Sequence, residues 1–200
     1  MPTTSTRNAA RTFDPVRVGR LECAAWAAYY RREWWPFLRA AVGMVDAGFR
    51  MSRRRTVVGA WHVLRANQVW APYPDNDPDA AREHMRRFYA LVFSRRHPTL
   101  EPSRAAALEV EWWRVHRLHQ HSDDLAEDDL TGALTALYAY VYEVPPARVR
   151  SAARLRVEAM DFSDRWVAAG CSPDDPLLAE ERRLLVASYT ALRAAVERAA

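Results

Sequence analysis

Acid–proline pairs punctuate this chain, and they restrict it to one kind of architecture. Asp14-Pro15, Asp77-Pro78, Glu101-Pro102 and Asp175-Pro176 each place an acidic residue before a proline, and Pro145-Pro146 adds a fifth start. An acidic cap followed by proline at the first helical position opens a helix, because that position needs no intrahelical N–H donor. Between these marks, apolar residues recur at three-and-four spacing, and no sustained alternation marks a strand. The expectation is an all-α compact bundle of about eight helices.

The first helix is expected from Pro15 to about Trp35. Pro36 kinks or restarts the chain, which then runs to about Met51. Ser52 can cap a third helix to about Trp70, and APYPDNDP forms a turn. Further helices are read from Pro78 to about Arg96 and from Pro102 to about Gln120. The acidic link HSDDLAEDD comes next, followed by a helix from about Asp129 to Glu143. Another runs from Pro146 to a stop at Gly170, and the last from Pro176 to the C-terminus. Residues 1–13 read as a disordered tail and 14–200 as a single helical domain.

Residues 14–26 (DPVRVGRLECAAW) and 101–113 (EPSRAAALEVEWW) share Pro, Arg, Leu, Glu and Trp at identical spacing. One reading is a duplicated three-helix unit, with half-repeats 14–97 and 101–170 and an insertion near 36–52. The other is that amphipathic helices beginning with proline resemble one another. On the first reading Glu22 and Glu109 occupy equivalent sites.

Composition bears on compartment and partners. The chain has 200 residues, two cysteines and a formal charge of +4; all 29 basic residues are arginine. Two cysteines make no disulfide framework, and no apolar leader opens the chain, so a reducing cytoplasmic setting is expected. The charge is dispersed apart from Arg53-Arg54-Arg55, read as a solvated linker, which argues against nucleic acid. Trp34 to Arg55 admits a membrane-surface role as a weaker alternative. Self-association is left open.

Candidate chemistry rests on polar residues set among apolar ones. Glu22, Trp26, Tyr29 and Glu33 form one helical stripe, and Glu109, Trp113, His116 and Gln120 another. A carboxylate beside an apolar face needs a cation, or its pKa rises. The segment from Arg55 to Trp70 is apolar nearly all round, which marks a buried central helix, yet it carries Arg65 and Gln68. Arg65 is therefore expected to be buried and to pair with a carboxylate of another helix. Together these give Glu22, Glu109 and His116 as acid–base candidates. Arg65, Gln68, Tyr29 and Trp113 are the candidate ligand contacts.

No motif specifies a cofactor. The paired Glu-x-x-His signature of carboxylate-bridged bundles is missing, and DNDPD lacks the glycine of a calcium loop, so no metal ligands are assigned. Nucleophile elbows, P-loops and dinucleotide fingerprints are also missing. The expected function is binding or transforming a small organic, anionic molecule in an aromatic-lined interior pocket. The alternative is a non-enzymatic interaction or scaffold protein in which the same glutamates form structural ion pairs. Nothing in the sequence decides whether the protein is an enzyme.

Overall fold

The computed structural model describes residues 13–93, 99–121 and 127–199, and these are all-helical, with no strand among them. The helices are α1 (Pro15–Tyr30), α2 (Trp34–Phe49), α3 (Arg53–Trp70) and α4 (Pro78–Phe93). They continue with α5 (Pro102–His119), α6 (Glu127–Tyr142), α7 (Pro146–Ala168) and α8 (Pro176–Glu197).

The aspartate caps form as the sequence implies. Asp14 accepts from the Arg17 amide at 3.0 Å, Asp77 from Ala80 at 2.9 Å and Asp175 from Leu177 at 2.9 Å. Glu101 and Ser52 hold cap positions without a side-chain bond. The first helix stops five residues earlier than expected, at Tyr30, where Arg32 turns left-handed with φ 60°. Pro36 then lies in the first turn of α2, where a missing N–H costs nothing. Gly170 ends α7 with φ +95°, as its C-cap role requires. The helix expected after the acidic link begins slightly earlier, at Glu127; residues 122–126 and 94–98 lie outside the described residues.

Each helix packs on the next in chain order, and α8 returns to pack against α1, so the eight form a closed ring. The joint between α1 and α8 is close. A Cβ on Gly19 would stand 2.7 Å from the Val186 backbone nitrogen, so only glycine allows these two helices to approach so closely.

Three expectations change. The third helix is a ring member and not a central one: Val57 and Trp61 are 55% and 50% exposed. Its apolar residues exceed what one buried face needs, and the surplus faces outward. Arg53-Arg54-Arg55 is its first turn rather than a linker, and Arg55 reaches the Leu91 carbonyl on α4. Phe13, assigned to the tail, is 2% exposed and packs edge-on against Tyr189. It occupies the position before the Asp14 cap, where a hydrophobic staple anchors a helix entry.

Around the ring, α2 stands between α1 and α3, in the stretch read as an insertion, whereas α5 packs directly on α6. Glu22 and Glu109 nonetheless line the same interior cavity.

Candidate functional site: an interior cavity with three charged groups

Closing a ring of helices leaves a space along its axis that side chains must fill. Here they leave a cavity of about 160 Å³, lined by residues from all eight helices. Eleven of the lining side chains are aromatic, and only three, Glu22, Glu109 and Arg156, carry formal charge. No packed core needs charge there, and burying it is costly.

Glu22 on α1 is 2% exposed and Arg156 on α7 is 7% exposed. Their side chains form a buried ion pair. The guanidinium also donates to the Tyr138 hydroxyl at 3.2 Å. Its carbon lies 4.8 Å from the Trp112 ring centre and 5.9 Å from that of Trp26, so aromatic faces replace the lost water. One Glu22 oxygen, Oε2, and the Arg156 Nε have no hydrogen-bond partner among the described residues.

Glu109 on α5 is held differently. It accepts from the Tyr89 hydroxyl at 2.6 Å and from the Trp112 indole N–H at 3.1 Å. Both donors are neutral. Burial pushes its carboxyl above the ordinary glutamate value, with Arg156 pulling the other way. The neighbouring phenols of Tyr89 and Tyr142 are likewise raised by burial.

A second cavity, of about 60 Å³, adjoins the first and shares Trp26, Asn67, Trp112 and Trp113 with it. His116, two turns beyond Glu109 on α5, lines this chamber with Tyr29, Tyr30, Arg117 and Gln120. His116 Nε2 lies 3.1 Å from Asp164 on α7, whose other oxygen accepts from Gln120 at 2.6 Å. These bonds hold the Asp164 carboxyl below the usual aspartate value despite burial. Arg117 donates to the Tyr29 hydroxyl at 3.1 Å. The arrangement is an imidazole oriented by a carboxylate beside a cation, the geometry general acid–base chemistry uses.

Of the residues singled out from sequence, Glu22, Glu109 and Trp113 line the main cavity, while Tyr29, His116 and again Trp113 line the smaller one. Arg65 and Gln68 line neither. Both are only half-buried, and Arg65 donates to Gln68 at 2.7 Å along their own helix. The cation that meets Glu22 is Arg156, not Arg65, because the outward turn of α3 carries Arg65 away from the ring axis. Sequence reasoning missed Arg156, Asp164 and Tyr89. For Arg156 a signal existed: it sits on the apolar stripe Val149, Ala152, Ala153, Val157, Met160, all buried.

Glu181 on α8 is a further buried carboxylate, 0% exposed, without a hydrogen-bond partner among the described residues. Burial pushes its carboxyl up to about 8 and that of the nearby Cys23 thiol up to about 12. Both cysteines are free. Among the described residues no three His, Cys, Asp or Glu side chains gather as a metal site would need. Nor is any described helix long and apolar enough to cross a membrane. No family model, no curated protein and no solved structure matches the chain.

Proposed function

We propose that this protein binds a small organic molecule in the aromatic cavity at the ring axis, and that Glu109 on its wall is the group placed to move protons on it, with His116 in the adjoining chamber as a second acid–base candidate. The observation that carries this reading is Glu109. It is a carboxylate on a cavity wall, supported only by neutral donors, at a cost in stability that a purely structural core would avoid. The place beside a carboxylate that the sequence suggested for Arg65 belongs to Arg156, which shapes the cavity wall with Glu22. The free thiols fit a reducing, cytoplasmic setting.

The test pairs thermal melts with a ligand screen on wild type and Glu109→Gln. Under this reading the substitution is neutral or stabilising and abolishes binding of those wild-type ligands whose charge or proton Glu109 meets. Destabilisation by ~1–3 kcal/mol from lost hydrogen bonds, with no ligand response in either protein, returns Glu109 to a structural role.

A second reading, an interaction or scaffold protein, is favoured by the outer face of α3. Val57, Val58 and Trp61 are exposed there beside exposed Arg53 and Arg54. Sedimentation of wild type and Trp61→Asp across a concentration series tests it; self-association lost in the variant supports an interface on this face.

A further inference from the structure

The charges at the main cavity do not balance, and the imbalance indicates the kind of ligand. Arg156 and Glu22 cancel each other as a contact pair. The guanidinium is also spent on Tyr138 and enclosed by the faces of Trp112 and Trp26. Its Nε still lacks a partner, but its charge is cancelled at contact by Glu22, so an arriving anion would meet no net positive charge there. Glu109 is the remaining charge, and its two hydrogen-bond donors, Tyr89 and Trp112, are neutral. A carboxylate accepts more than two hydrogen bonds, so Glu109 keeps acceptor capacity. The rest of the wall is mostly aromatic, and aromatic faces attract cations through their quadrupole. An anion would meet the electron-rich aromatic faces, and Glu109 could not ionise beside it without repelling it. A cation would find a counter-ion and a cage.

Size adds a limit. The cavity, about 160 Å³, is close to the ~150 Å³ that accommodates one benzene molecule. We propose that the ligand is an organic ammonium ion of about six to eight non-hydrogen atoms, its charge met by Glu109 and its alkyl groups laid against the aromatic wall. This rests on reading the cavity as a ligand site, and it reverses the anionic class expected from sequence. The titratable and charged groups that bear on Glu109 are Glu22 from α1, Tyr89 from α4, Tyr142 from α6 and Arg156 from α7. Burial raises the Glu109 carboxyl above its ordinary value, and an arriving cation favours the ionised form, so cation binding should be coupled to proton release.

The experiment uses four probes: choline, pentylammonium, the neutral choline isostere 3,3-dimethylbutan-1-ol, and the anion 3,3-dimethylbutyrate. Binding to wild type and Glu109→Gln is measured by calorimetry and tryptophan fluorescence. At least one ammonium probe should bind tenfold or more tightly than the alcohol, a difference of ~1.4 kcal/mol. The two ammonium probes distinguish a quaternary from a primary amine. In Glu109→Gln that preference should vanish while the alcohol binds as before.

Wild type titrated at several pH values from 4 to 7, in two buffers of different ionisation enthalpy, should release protons with the cation at one or more of them and none with the alcohol. That measurement decides the matter if Glu109→Gln does not fold. Equal binding of cation and alcohol, tighter binding of the anion, a cation preference that survives Glu109→Gln, or no proton release overturns the ammonium proposal and leaves the cavity a ligand site. Binding of none of the four at millimolar concentration overturns both.

Discussion

Replacing Arg156 with methionine is the sharpest test of how the ring is held together. The side chain keeps an unbranched apolar stem but loses the guanidinium, so Glu22, 2% exposed, is left as an uncompensated carboxylate. Its Oε2 already lacks a partner, and Oε1 would lose the only one shown for it. The Tyr138 hydroxyl loses its donor as well. Removing one member of a buried pair costs ~3–5 kcal/mol. In a chain of 200 residues each kcal/mol shifts the melting temperature by ~2–4 °C, so a fall of ~6–20 °C is expected.

Glu22→Leu should cost a similar amount, because it strands the guanidinium instead. The double variant, with both charges gone and volume largely kept, should recover most of the loss and can equal the wild type. Thermal and urea unfolding followed by circular dichroism give the three values. Single variants that each cost under ~1 kcal/mol, or a double variant that is the sum of the singles within ~0.5 kcal/mol, would refute the buried pair. The double variant also leaves Glu109 as the only charged side chain lining the cavity, so a preference for ammonium probes should strengthen in it.

Three further outcomes are expected. Glu181 holds its proton more tightly in the folded protein, up to about 8, than in the unfolded chain, so its contribution favours folding most below pH ~4.5 and declines as pH rises toward 8. Glu181→Gln should remove that decline and raise stability at pH 8, seen as a flatter pH profile of urea midpoints. Gly19→Ala forces a methyl against the Val186 backbone and should destabilise by ~1–3 kcal/mol in urea unfolding, since a backbone atom cannot rotate aside. Cys23, 2% exposed and with its thiol raised to about 12, should resist a thiol reagent at pH 8 until the protein unfolds, whereas half-exposed Cys171 reacts in the native state. Mass spectrometry of the labelled peptides distinguishes the two.

The sequence by itself determined the helices, because their signals are local. An aspartate cap and its proline act within one turn, and three of those caps form at the expected residues. Apolar spacing also indicated that Glu22 and Glu109 sit beside buried surface. What it could not determine is which way each helix turns about its own axis. The third helix is apolar on more than one face, so periodicity did not say that Val57 and Trp61 would look outward and take Arg65 with them. Only the closing of the ring decided that.

Partner choice depended on the same long-range step. Glu22 and Arg156 are 134 positions apart and His116 and Asp164 are 48 apart, and among so many arginines the apolar setting of α3 pointed to Arg65 in place of Arg156. Arg156 had a visible mark, its place on a buried stripe of α7. Glu181 had a weaker one, since its neighbours Glu180 and Arg183 form an exposed pair that makes the whole segment look solvated. A cavity leaves no local signature at all. It is the volume that eight packed faces fail to fill, a property of their joint arrangement around the ring and of no single stretch of chain.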